Sequence, residues 1–147
     1  MSRVTSLYHI VFATKRREQT ITHENREALY RYIWTIISKS NSVLYRIGGV
    51  SDHIHILLDL HPTVPLSTMV RDIKSRSSSW MKQSGLFAAF SGWATEYFAA
   101  SVSYADKNGI IEYIKSQPEH HAKVKLDEEL KILANDAGLA LTSFDLM

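Results

Sequence analysis

The sequence predicts an α+β fold: a βαββαβ antiparallel sheet with helices on one face, followed by a C-terminal helical extension. Three observations carry this expectation. Residues 7–13 and 53–58 form short, nearly continuous apolar runs of the kind that make buried strands. Leu29, Ile33, Ile36 and Ile37, and then Leu66, Met69, Val70 and Ile73, recur at helical spacing. The order along the chain is strand, helix, two strands, helix, strand, helix, which is the ferredoxin-like, split-βαβ arrangement. Such a sheet carries helices on one face and leaves the other available.

The first strand, 7–13, is rich in β-branched and aromatic residues, and Lys15-Arg16-Arg17 leaves its end as a basic loop. Thr22 is placed to cap the first helix, with Glu24 in its first turn, and the helix runs to about residue 39. Asn41-Ser42 breaks it, and 43–47 forms a second strand. A tight turn over Gly48-Gly49-Val50-Ser51-Asp52 leads into the third, His53-Ile54-His55-Ile56-Leu57-Leu58. The second helix starts near Pro65, and Gln83-Ser84-Gly85 stops it; Trp80 and Met81 fall on its apolar stripe. Residues 86–92 read as an irregular connection with aromatic anchors, and 97–103 as the fourth strand. Asp106 caps a third helix carrying Ile110, Ile111 and Ile114, which Pro118 ends or kinks just after Gln117. A short helix over 127–135 and a tail over 139–147 complete one domain, 1–147, with its core over about 4–123 and a helical tail over about 124–147.

Composition bounds the class. The chain has 147 residues, is 45% hydrophobic and 22% charged, and so suits one soluble globular domain. No apolar run is long enough to span a bilayer, the N-terminus lacks a signal-peptide core, and there is no cysteine. These features fit a cytoplasmic protein without disulfides or thiolate metal sites. The net charge of +2 is too small to argue nucleic-acid binding. Its distribution says more: Lys15, Arg16 and Arg17, then Arg71, Lys74, Arg76 and Lys82, precede an acidic end with Asp127, Glu128, Glu129, Asp136 and Asp145.

The chemistry centres on His53 and His55. Alternate residues of a strand share a face, so the two imidazoles can grip one metal ion. A His-x-His pair also occurs as a half-exposed polar face, but the apolar run around this pair marks its strand as core. Tyr113 and Gln117, four apart, share a face of the third helix, with Glu112 on a neighbouring face. Alone, this second pair equally fits a surface tyrosine and a helix-end glutamine.

Taken in order, Asp52-His53-Ile54-His55 and, about 60 residues later, Tyr113-Ile114-Lys115-Ser116-Gln117 resemble the signature of single-tyrosine transposases of the HUH endonuclease superfamily. The opening Tyr8-His9-Ile10-Val11-Phe12, the Ile73-Lys74-Ser75-Arg76-Ser77-Ser78 segment and Trp93 through Tyr97-Phe98 follow in the family's order. The chain is also similar to REP-associated tyrosine transposases. The resemblance implies metal-dependent cleavage and rejoining of single-stranded DNA at the hairpin ends of a small mobile element. His53, His55 and Gln117 would then be metal ligands and Tyr113 the nucleophile. It further implies a homodimer in which each tyrosine-bearing helix can complete the partner's site; Gly109 offers the one flexible joint for such an exchange.

A nitrogen–nitrogen–oxygen set suits manganese, with magnesium serving at cellular abundance. Structural zinc would want a fourth ligand, for which His120 and His121 are the spare candidates; both are read instead as solvated helix-end residues or DNA contacts. Lys15, Arg16, Arg71, Lys74 and Arg76 are candidate DNA contacts, and Trp93 and Tyr97 candidate platforms for unpaired bases. The same arginines also fit a solvated helix face. Ser77-Ser78-Ser79 inside a helix hints at close backbone approach or phosphate contact. His9 and His23 read as structural. Two other functions fit part of the pattern: a host-adopted nuclease that processes palindromes with the same residues, and a noncatalytic module that stacks single-stranded nucleic acid on its open sheet face.

Overall fold

The computed structural model of the protein describes residues 2–120 and 125–138. Four strands, β1 (Leu7–Ala13), β2 (Val43–Val50), β3 (His53–Asp59) and β4 (Phe98–Val102), pair antiparallel in the order β2-β3-β1-β4. Helices α1 (Arg26–Lys39) and α2 (Leu66–Ser84) fill the crossovers, as the element order predicts.

The period of two then divides the sheet into two chemically different faces. Ile10, Phe12, Ile54, Ile56 and Leu58 point to one face and pack with Leu29, Ile33, Ile37, Met69, Val70 and Ile73 of α1 and α2. On the other face the register pairs Val11 with His55 and Ala13 with His53, and sets Phe98 beside Val11. That second face is not open. It is covered by α3 (Lys107–Lys115), the short α4 (Gln117–His120) and α5 (Leu126–Asp136), whose Leu126, Leu130 and Ala134 bury against Val11, Ala13 and Phe98. The apolar stripe of α5 and the Val11/Ala13/Phe98 patch would each cost free energy if left in water, so they close on one another. The expectation of an available sheet face is corrected accordingly, and with it the surface on which a noncatalytic module would stack bases.

Local signals explain the boundaries. Thr22 and Asn25 bond reciprocally, each backbone N–H donating to the other's side-chain oxygen at 2.7 and 3.2 Å, so α1 begins after Asn25 instead of after Thr22. Asn41 takes φ 63° just beyond α1, and Gly85 takes φ 74° as the cap of α2.

Gly48 and Gly49, expected in the turn, lie inside β2; Ser51 and Asp52 alone make the turn. Close approach is what requires them. A Cβ on Gly49 would lie 2.2 Å from the His53 carbonyl oxygen, and one on Gly48 3.0 Å from that of Ile114 in α3. The third helix is also shorter than its apolar pattern: it ends at Lys115, and the chain re-enters helix at Gln117 with Pro118 in the first turn, where a missing N–H costs nothing. The tail over 139–147 lies outside the described residues, as do His121 and the side chain of His120.

Candidate active site

The strand pattern brings His53 and His55 to the covered face, both fully buried. Each imidazole is oriented by a neighbour through its δ-nitrogen. Nδ1 of His53 lies 2.7 Å from Asp52 Oδ1, and Nδ1 of His55 lies 2.9 Å from Nε2 of His9. A carboxylate only accepts, so Nδ1 of His53 carries the proton and Nε2 keeps its lone pair. His9 is held neutral, its pKa lowered to about 3, chiefly by burial and then by His55, against a smaller opposing pull from Glu129. By the same rule Nε2 of His55, 3.1 Å from a Glu129 carboxylate oxygen, carries the proton here and its Nδ1 accepts from His9 Nε2–H; a cation at Nε2 would require the other tautomer, in which His55 Nδ1–H donates to His9 Nε2. His9 is thus an orienting partner of His55, more than the structural residue its strand position implies.

Opposite the two ε-nitrogens stands Glu129 of α5, 1% exposed. Its Oε1 lies 3.1 Å from His55 Nε2, and its Oε2 3.9 Å from His53 Nε2. Tyr113 Oη–H donates a short hydrogen bond to the same Oε1, and Gln117 Nε2–H donates to it at 3.1 Å. Despite the break at Ser116, the two side chains of α3 and α4 therefore converge on one carboxylate, and they face the histidines of their own chain. Packing of Ile114 against Gly48 positions them.

His53, His55 and Glu129 offer three ligand atoms within 4.8 Å of one another. Gln117 Oε1 is buried without a hydrogen-bond partner among the described residues. An amide can present either end, so this oxygen is a fourth available donor. Two imidazoles with oxygen donors suit a borderline or hard divalent cation. The phenol of Tyr113 is pushed well above its ordinary pKa, first by burial, then by the hydrogen bond to Glu129 and its negative charge; a bond with Gln117 opposes the rise.

The remaining candidates are spread out. Lys15 and Arg16 are exposed at the end of β1, next to the strand start that carries His53; Arg17, beside them, pairs with Asp127 of α5. Arg71, Lys74 and Arg76 ride on α2, across the sheet from the histidines. Lys74 Nζ donates to the carbonyls of Ala94 (2.5 Å) and Thr95 (3.0 Å), and Arg71 is exposed. Trp93 is a core anchor: its rings meet Phe12 and Phe90, and its Nε1–H donates to Ser77 Oγ at 2.9 Å. That bond, with Ser77 donating to Ile73 O, accounts for Ser77 inside α2. Tyr97 lies half-buried beside Trp93 in a cleft of about 470 Å³, and His23 is exposed.

Glu129 is the site residue the sequence reading passed over. A signal existed, since it sits three residues after Leu126 and one before Leu130, on the apolar stripe of α5, where a carboxylate needs a partner.

Comparison with known proteins bears on this arrangement. Residues 2–117 match the family model described as transposase IS200 like. The transposases of insertion sequence element IS200 from Salmonella typhimurium and Salmonella typhi are each 30% identical to the chain over 130 residues, covering 85% of it and 83% of the relative. Two solved structures share the fold. A protein from Deinococcus radiodurans described as a candidate transposase has TM-score 0.59 and 24% identity, over 80% of this chain and 95% of that one. A REP-associated tyrosine transposase bound to a REP hairpin has TM-score 0.62 and 15% identity, over 84% of this chain and 74% of that one. With the match running from before β1 through Gln117, and so enclosing both the histidine strand and the tyrosine helix, the chain belongs to the IS200-like transposase family.

Proposed function

We propose that this transposase cleaves and rejoins single-stranded DNA through a covalent phosphotyrosine at Tyr113, with a divalent cation, magnesium or manganese, held by His53, His55 and Gln117. The observation that carries the reading is the convergence of Tyr113 and Gln117 with both histidines around one small buried volume. A bound cation there supplies neutralisation of charge developing on the phosphate.

The residues do the rest. Asp52 and His9 hold the imidazoles in orientation, and α3 holds the phenol over them. Tyr113 loses its proton, its oxygen forms a bond to the scissile phosphorus, and the bond from phosphorus to the 3′ oxygen breaks, that oxygen taking up a proton. The tyrosyl ester retains the energy of the broken linkage, so attack by a 3′-hydroxyl on the same phosphorus releases Tyr113 and rejoins strands without ATP. The hairpin bound by the REP-associated neighbour supports a hairpin-bearing single strand as substrate. The family reading also carries a homodimer, which sedimentation measures directly.

Incubation with a hairpin-bearing oligonucleotide and Mn²⁺ is expected to give a covalent adduct on a denaturing gel, absent from Tyr113→Phe. An adduct that persists in this variant moves the nucleophile elsewhere. Calorimetric Mn²⁺ binding is expected to disappear in His53→Ala and in His55→Ala.

A further inference from the structure

A phosphate about to be attacked must bring its phosphorus to about 3–3.5 Å from the nucleophilic oxygen. In this structure that position is filled. Glu129 Oε1 is in hydrogen-bond contact with Tyr113 Oη, and the same atom lies 3.1 Å from both Gln117 Nε2 and His55 Nε2. A carboxylate and a phosphate diester are both anionic oxygen acceptors, and the two repel at close range. They compete for one place. His53, His55 and Gln117 are fully buried and Glu129 nearly so, which leaves no room for a nucleotide beside them.

We infer that α5 is an internal gate: Glu129 stands where the scissile phosphate must stand, so single-stranded DNA reaches Tyr113 only by lifting α5 from the sheet. This rests on Tyr113 being the nucleophile. The attachment of α5 suits a gate. On its sheet side it is held by Leu126, Leu130 and Ala134, and at its start by the ion pair of Asp127 with Arg17. On its other side a cleft of about 500 Å³ runs between α5, α3 and β4, lined by Gly109, Ile110, Leu133 and Asp136 and reaching His9. The seam through which a strand can begin to displace the helix therefore leads to His9, whose Nε2 lies 2.9 Å from His55.

The chain contains no cysteine, which makes single-thiol labelling in the full-length protein direct. Ala134 of α5 is fully buried against the sheet, and Val70 of α2 is buried on the opposite face. With a hairpin-bearing oligonucleotide and Mn²⁺, maleimide labelling of Ala134→Cys is expected to accelerate by about tenfold or more, as a shift of the closed state toward the open one requires, while Val70→Cys stays protected. An unchanged Ala134→Cys rate under conditions where a gel shift shows the oligonucleotide bound overturns the gate, as does equal acceleration at both positions. In Glu129→Ala, adduct formation is expected to be severalfold faster than in the parent; a slower rate shows instead that Glu129 assists the chemistry. If the bound oligonucleotide gives no adduct with either protein, the phosphotyrosine reading fails, and the labelling rates still decide whether α5 opens.

Discussion

His9 shows how much a site depends on a residue that holds no ligand itself. Its Nε2 lies 2.9 Å from Nδ1 of His55, and its ring stacks on that imidazole with centroids 5.1 Å apart. Burial keeps it neutral, so its Nε2 can accept a hydrogen bond from His55 Nδ1–H, the tautomer whose Nε2 lone pair a cation would need. His9→Phe preserves an aromatic ring but deletes the acceptor. Its Mn²⁺ affinity, measured by calorimetry, is expected to fall about 10- to 100-fold, the usual cost of losing an orienting partner, with the far-ultraviolet circular dichroism retained. From the sequence, His9 is a polar residue in an apolar strand and nothing more. Which imidazole it meets depends on the register that sets Val11, two residues on, opposite His55.

Among the elements, β2 and α3 depend on one another through two missing side chains. Gly49 allows the hairpin to close over the His53 carbonyl, and Gly48 allows Ile114 to approach the sheet. A methyl group at Gly49 meets backbone at 2.2 Å, which side-chain rotation cannot relieve. Gly49→Ala is therefore expected to destabilise the protein by about 2–3 kcal/mol in urea unfolding, near the top of the range for overpacking. At Gly48 the contacts are 3.0 and 3.1 Å, so α3 can shift by a few tenths of an ångström. Gly48→Ala is expected to cost less stability but to lower adduct yield, because that shift moves Tyr113. The glycine pair itself is plain in the sequence. Its turn-forming reading failed because glycine serves close approach as readily as it serves turns.

Across the whole molecule, the sheet separates an apolar face that provides the core from a face that carries the site, and each face buries a tyrosine whose raised pKa couples stability to alkaline pH. Tyr30 in α1 has its pKa raised to about 12, mainly by burial, with Arg26 and Arg46 opposing. In the unfolded chain it ionises near 10. The unfolded state therefore loses its proton first as pH rises, so this contribution to stability is intact below pH 10 and declines between about pH 10 and 12. The shift corresponds to about 3 kcal/mol. Tyr30→Phe is expected to flatten that part of the pH profile of urea unfolding, with the slope below pH 9 unchanged.

The strands, the crossover helices and the His53–His55 and Tyr113–Gln117 pairs were legible along the chain because they rest on local periodicities of two and 3.6 residues. Local signals also marked α5 within a residue or so of its ends. They could not say where α5 lies. Its position follows from the apolar patch of Val11, Ala13 and Phe98, three residues of two strands that become neighbours only when β1 pairs with β4. Glu129 arrives with that helix. A buried carboxylate persists only among donors able to compensate its lost hydration, and Tyr113 and Gln117, brought beside it from other elements by the folded chain, are those donors.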